Sequence, residues 1–409
     1  MIFNLSTKTT KLAAEITISG SKSESNRLLI LKQLIADLQI ENISDSDDSK
    51  YLAKALTTSD ELINIGHAGT AMRFLTSYFS IQKNREVVLT GSERMQNRPI
   101  EILVKALQDL GADISYEHKF GYPPIRIKGT DLVKDIVQIN GNVSSQYISS
   151  LMLIASSLPN GLEIELLGKI TSVPYINMTL SLLQELGIEA NFVKNIIKIK
   201  SFNSVIAKKI TVESDWSSAS YFYSLIALSK IGSKIKISSY KKDSLQGDSC
   251  LVEIYQHFGV KTVFEENSIL LKKTDVISSG VEKSHLKLDL KNAPDIAQTI
   301  AVTCFGLGIS CDLSGLHTLK IKETDRLVAL ENELTKLGGI ISVTNDSLHL
   351  EASTEIKENI DIETYNDHRM AMAFAPLALK VPIAILDANV VTKSYRNFWN
   401  DMQQIGFQI

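Results

Sequence analysis

LVKALQDLGADISY, Leu103 to Tyr116, reads as an amphipathic helix, a Leu-Gly stop and a strand. Glycine just past a helix tolerates the left-handed conformation that ends it. The same sentence returns as TLSLLQELGIEANFV (Thr179 to Val193), LVEIYQHFGVKTVF (Leu251 to Phe264) and ALENELTKLGGIISV (Ala329 to Val343). A last copy, WNDMQQIGFQI, runs from Trp399 to Ile409. The stops at Gly111, Gly187, Gly259, Gly338 and Gly406 lie about 70 to 80 residues apart.

A second repeat interleaves with the first. A short polar segment leads into a helix that is apolar almost all round. The copies are SESNRLLILKQLIADL from Ser23, GTAMRFLTSYFSI from Gly69, SSQYISSLMLIASSL from Ser144, SSASYFYSLIAL from Ser217, PDIAQTIAVTCFGL from Pro294 and DHRMAMAFAPLAL from Asp367. Helices of this kind belong inside a fold, and the amphipathic set outside. Between them lie strand-like runs such as EITISG from Glu15, EIELLG from Glu163, IIKIKSF from Ile196 and KIKISSY from Lys234. Alternating strands and helices predict an α/β chain of six units, three to a domain, with a boundary near Lys209 to Ser214.

The 409 residues, 44% hydrophobic and 22% charged, fit two ordinary globular domains. A net charge of -3 argues against a dedicated nucleic-acid binder. Three cysteines, Cys250, Cys304 and Cys311, include no CxxC pair, and no HExxH occurs, so neither a disulfide framework nor a zinc site is expected. No signal-like start and no run of about 20 apolar residues is present, which points to the cytoplasm and away from a membrane. The longest apolar stretch, Ile296 to Leu313, reads as a buried helix followed by a strand.

The polar starts of the buried helices carry cations: Lys22 and Arg27 in GSKSESNR, Arg73 in GHAGTAMR, Arg369 in YNDHRMAMAF. Helix N-termini favour anions. A serine-rich start is by itself an ordinary cap, but several with adjacent cations in one slightly acidic chain point to small phosphate or carboxylate ligands. GSKS lacks the upstream glycine of a P-loop, and no GxGxxG occurs, so ATP and NAD are not expected. In LTGSERMQNRPI, Arg94 and Arg98 surround a helix start with Pro99 at its first position; a solvated loop is the plainer reading. KIKETDRL packs Lys322, Glu323, Asp325 and Arg326 together. That is either a charged surface face, with Thr324 as cap, or a buried substrate-binding cluster. Asp295 heads a nearly apolar helix, as a cap or as a base.

GSKSESNR, GTAMRFL, TGSERMQNRPI, GNVSSQ, SDWSSASY, KETDRL and YNDHRMAMAF, in that order from Gly20 to Lys393, resemble the EPSP synthase family of enolpyruvyl transferases. The resemblance implies two similar domains, each of three βαβαββ units with buried helices facing an interdomain cleft, an inside-out α/β barrel. It also implies that the first strand crosses over, giving residues 20–213 as one domain and 1–19 with 214–409 as the other. The implied substrates are shikimate 3-phosphate and phosphoenolpyruvate, with no metal and no organic cofactor; a monomer is expected, since the cleft needs no second subunit.

By the same resemblance, shikimate 3-phosphate is held by Lys22, Ser23, Arg27, Ser144, Ser145, Gln146, Ser172, Tyr175, Asp295, Thr318 and Lys322. Phosphoenolpyruvate meets Lys22, Gly69, Arg98, Gln146, Arg326, Arg369 and Lys393. Asp295, Glu323 and Lys22 are the implied catalytic groups. The chain departs from the family at His67, Phe74, Thr318 and Trp216 and is short from Asp47 to Gly66, which bears on the phosphoenolpyruvate loop and on glyphosate sensitivity. The sister enzyme acting on UDP-N-acetylglucosamine uses a cysteine in its first half, and no cysteine here precedes Cys250. A non-catalytic phosphosugar sensor on the same fold would not need Lys22, Asp295 and Glu323, all present.

Overall fold

The computed structural model describes residues 1–171, 173–202, 207–275, 285–322 and 324–409. Ser172 and Glu323, both named above, lie outside the described residues. Contacts divide the chain into two compact units, Gly20–Val212 and Met1–Ser19 with Glu213–Ile409. Glu213 goes with the second: its carboxylate accepts from Trp216 Nε1 (2.7 Å), Lys241 N (2.9 Å) and Ser244 Oγ (2.6 Å).

Among the described residues each unit carries three small sheets. In Gly20–Val212, Ile136–Asn140 runs parallel to Leu162–Leu167, to which Ile196–Ile199 and then Ala190–Val193 add antiparallel. Leu62–Asn64 and Glu86–Thr90 begin a second sheet with the same scheme. The third is the parallel pair Leu38–Glu41 and Lys208–Thr211. In the other unit, Ala13–Ile16 lies parallel to Lys234–Ser238, and Phe3–Leu5 pairs antiparallel with Ile383–Ile385. The N-terminal segment therefore supplies strands to two sheets of a unit that otherwise begins at Glu213. In Ile136–Asn140 only Val137 and Ile139 are inside, as period-two alternation requires.

The six apolar helices are the centre of their units. Every residue of Gly69–Ser80 is buried, and in Trp216–Leu228 only Ser217 is not. Their many serines and threonines stay satisfied by pairing within or between helices. Thr76 Oγ1 donates to Met72 O (2.6 Å), Ser77 Oγ to Ser150 Oγ (3.0 Å) and Thr303 Oγ1 to Ser224 Oγ (2.8 Å). Such small side chains let buried helices approach closely without orphaned polar groups. Ala297–Leu307 and the strand Ser310–Ser314 follow the reading of the longest apolar stretch.

The amphipathic helices end as read: Gly111, Gly187, Gly259, Gly338 and Gly406 all have positive φ. A further helix, Asp47–Thr57, has no glycine stop; it begins at a Ser46 cap and ends in extended Thr58. That missing stop is why the repeat did not reveal it. Two local readings are corrected. Pro99 is not the first helical residue, because the helix is Glu101–Leu110 with Ile100 as N-cap. Asp325, not Thr324, caps Arg326–Lys336, accepting from Leu327 N (3.2 Å) and Val328 N (3.3 Å).

Candidate active site

In the Gly20–Val212 unit the polar ends of four helices are tied together. Arg27, from Lys22–Leu34, is buried among them. It donates from Nε to Thr179 Oγ1 (2.7 Å), from Nη1 to Ser23 O (2.8 Å), and from Nη2 to Ser149 Oγ (2.9 Å) and Tyr175 O (3.3 Å). Burial draws its pKa down to about 10, still cationic near neutrality. Phe74 packs beneath it, with the guanidinium carbon 5.5 Å from the ring centroid, a cation–π contact. Four of the five guanidinium N–H groups thus serve Thr179, Ser23, Ser149 and Tyr175.

Ser144 caps Ser145–Ala155, accepting from Gln146 N (3.4 Å), and Gln146 Nε2 reaches Thr70 Oγ1 (3.2 Å) in the first turn of Gly69–Ser80. Gly69 opens that helix, and an ideal Cβ there would stand 2.5 Å from Arg98 Nη1. Arg98 therefore lies directly on the Gly69 backbone. Arg73, named above as a cation of this helix start, is buried and braces the loop. It donates to Gly69 O (3.1 Å) and Pro99 O (3.3 Å), and Tyr147 also donates to Pro99 O (2.7 Å). Burial and the nearby Arg98 lower the Arg73 pKa to about 10. Arg73 and Arg98 thus bring two guanidiniums into one small region. Lys22 and Ser23 are half-buried at the head of their helix, whereas Arg94 is exposed.

In the other unit one carboxylate gathers three cations. Asp295 sits in the turn Pro294–Ile296, ahead of Ala297–Leu307. It meets Arg326 Nη1 at 2.8 Å, Lys322 Nζ at 3.5 Å and Arg369 Nη2 at 3.4 Å. Arg326 is buried and takes a second carboxylate, Asp367, at 2.6 Å through Nε. Asp367 also caps His368–Phe374 by accepting from Arg369 N (2.8 Å). Burial works against the Arg369 cation, but Asp295, Tyr221, Asp248 and Asp215 hold its pKa well above the ordinary value. Lys393 Nζ donates to Asn366 O (2.6 Å), where Tyr365 and Asn366 have φ of +52° and +56°. Two successive non-glycine residues in that region store strain beside a site. The hydroxyl of Thr318 is buried with no hydrogen-bond partner among the described residues.

The structure thus brings Lys22, Ser23, Arg27, Gly69, Arg98, Ser144, Ser145, Gln146 and Tyr175 to linked helix ends in one unit. Asp295, Lys322, Arg326 and Arg369 converge in the other. Asp367, Thr179 and Ser149 were not legible as site residues. Asp367 stands at a cap position, a signal shared with every helix start; the other two look like ordinary buried helix polar groups. Trp216 is absorbed into the core, donating to Glu213 and packing edge-on to Tyr240 at 4.9 Å. His67 lies edge-on to Tyr51 at 5.9 Å. Among the described residues no group of three or more His, Cys, Asp or Glu could hold a metal ion, and no helix is long and apolar enough to cross a membrane.

The architecture is that of the enolpyruvyl transferases. An EPSP synthase from Acinetobacter baumannii superposes with a TM-score of 0.82 at 20% identity, covering 100% of this chain and 99% of that one. The enolpyruvyl transferase NikO from Streptomyces tendae gives 0.75 at 13% identity, covering 100% and 98%. Within that class the chain belongs to the EPSP synthase (3-phosphoshikimate 1-carboxyvinyltransferase) family, whose profile matches residues 53–402. The 3-phosphoshikimate 1-carboxyvinyltransferase of Bacteroides fragilis (strain YCH46) is 44% identical over 403 residues, 98% of this chain and 97% of its own length.

Proposed function

We propose that the chain transfers the enolpyruvyl group of phosphoenolpyruvate to the 5-hydroxyl of shikimate 3-phosphate, releasing phosphate. The observation that carries this is the full-length kinship, at 44% identity, with a 3-phosphoshikimate 1-carboxyvinyltransferase. The hydroxyl oxygen bonds to C2 while a proton adds at C3, giving a tetrahedral ketal. Loss of a C3 proton and cleavage of the bond from C2 to the bridging oxygen then expel phosphate.

In this reading Asp295 takes the hydroxyl proton, and its three cations become available to substrate charge as it does so. Glu323, outside the described residues, and Lys22 serve C3. Arg98, Arg326, Arg369 and Lys393 stabilise the carboxylate and the departing phosphate of phosphoenolpyruvate, for which the two-pronged guanidinium is suited. Gly69 leaves room for Arg98, and Gln146 completes that end. Ser23, Arg27, Ser144, Ser145, Gln146, Ser172 and Tyr175, with Thr318 and Lys322, hold shikimate 3-phosphate. Arg27 acts with its remaining N–H and by ordering Ser23 and Tyr175. The enzyme works as a cytoplasmic monomer without cofactor, and glyphosate competes at the phosphoenolpyruvate positions.

Phosphate release from phosphoenolpyruvate tests the assignment. Release only with shikimate 3-phosphate is expected. Release with UDP-N-acetylglucosamine instead moves the substrate assignment to the sister enzyme, and no release with either favours a binding protein.

A further inference from the structure

We infer that Ser217 and the buried Asp248 form a relay that positions the Arg369 guanidinium for phosphoenolpyruvate. This rests on the reading of Arg369 given above. Ser217 is the one residue of Trp216–Leu228 that is not buried, and it lies in the first turn of that helix. Its Oγ accepts from Arg369 Nη2 at 3.2 Å and donates to Asp248 Oδ2 in a very short hydrogen bond. Asp248 is buried in the turn Gly247–Cys250, within the Gln246-Gly247-Asp248 segment that carried no signal in the sequence.

The polarity of this chain is fixed. A guanidinium only donates and an ionised carboxylate only accepts, so the hydroxyl between them must do both. Arg369 is held at its other prong by the carbonyl of Asp295, 3.2 Å from Nη1. The two anchors leave the guanidinium plane no free rotation. Arg369 thus faces Asp295 and Ser217 from two different elements, and Asp248 supplies the negative charge behind Ser217. Burying a carboxylate is unfavourable, and burial together with Asp295 raises the Asp248 pKa to about 6. A group kept at such a cost, outside any cap or ladder, is expected to serve the site.

Steady-state phosphate release with phosphoenolpyruvate varied at saturating shikimate 3-phosphate tests the relay. Ser217→Ala and Asp248→Asn are each expected to raise KM for phosphoenolpyruvate about tenfold, the scale of a lost hydrogen bond to a charged group, with little change in kcat. Ser217→Thr, which keeps the hydroxyl, restores KM. In an Arg369→Lys background neither change adds a further increase. Should Asp248→Asn fail to fold, Ser217→Ala decides alone. Unchanged KM in Ser217→Ala, while Arg369→Lys raises it, overturns the relay only. Unchanged KM in Arg369→Lys overturns the role given to Arg369, and the relay with it. A further increase in the Arg369→Lys background also overturns the relay, because the effect would then travel by another route.

Discussion

Gly69→Ala adds one methyl group where the Arg98 guanidinium already stands. The ideal Cβ falls 2.5 Å from Arg98 Nη1, 3.2 Å from its Cζ and 3.3 Å from Nη2, and ordinary contact starts at 3.4 Å. The guanidinium must retreat by about 1 Å. Nothing in the backbone has to move, since the obstacle is the far end of a flexible side chain. Alanine also suits a helix better than glycine, so stability should hold or rise by up to about 1 kcal/mol. What is lost is the fit of Arg98 to its anion. A hydrogen bond to a charged group contributes about 1.5–3 kcal/mol, or about 10- to 150-fold in affinity. KM for phosphoenolpyruvate should rise by that factor, while KM for shikimate 3-phosphate stays put. The assay is phosphate release at varied phosphoenolpyruvate beside a thermal melt. A well-folded Gly69→Ala protein with KM for phosphoenolpyruvate within about twofold of wild type would refute the placement of Arg98 on the substrate.

Asp367→Ala should lower stability to urea by about 1.5–3 kcal/mol, because it removes the Nε partner of the buried Arg326 guanidinium and leaves Asp295 to offset that charge alone; a loss under about 0.5 kcal/mol would mean that Asp295 by itself satisfies Arg326. Asp295→Asn should cut turnover at least about 100-fold while the protein still melts cooperatively, as expected for a lost catalytic base. Asp248 gives a pH signature. Its pKa is raised from 3.8 to about 6, chiefly by burial, so the folded protein holds that proton more tightly than the unfolded chain. Its contribution is fully present below pH 4 and is lost as pH rises through 6, about 3 kcal/mol in all. Asp248→Asn does not titrate, so its stability relative to wild type should climb over that interval in paired urea melts. A difference independent of pH would contradict the buried, ionised carboxylate.

The repeats made the fold legible because each unit must bury a helix on all sides and stop another with glycine. Both demands write themselves into composition at fixed spacing. Where the stop was absent, at Asp47–Thr57, the element went unseen. The cations of the site were legible through their motifs. Their partners were not, since Asp367 lies 41 residues from Arg326, and Ser217 and Asp248 lie farther still from Arg369, and all three look like ordinary cap or loop residues. What they pair with depends on how helix starts from separate units of the repeat meet. Arg27 and Arg73 show the converse: both belong to polar helix starts, yet four N–H groups of Arg27 serve carbonyls and hydroxyls of the protein, and Arg73 is held on the carbonyls of Gly69 and Pro99.

Phosphoenolpyruvate labelled with oxygen-18 at the bridging position follows the bond on which the account turns. With shikimate 3-phosphate and the purified protein, the label should leave in inorganic phosphate, because transfer breaks the bond between C2 and that oxygen. Label retained on the three-carbon product would mean cleavage between phosphorus and oxygen, and enolpyruvyl transfer by this chain would be contradicted.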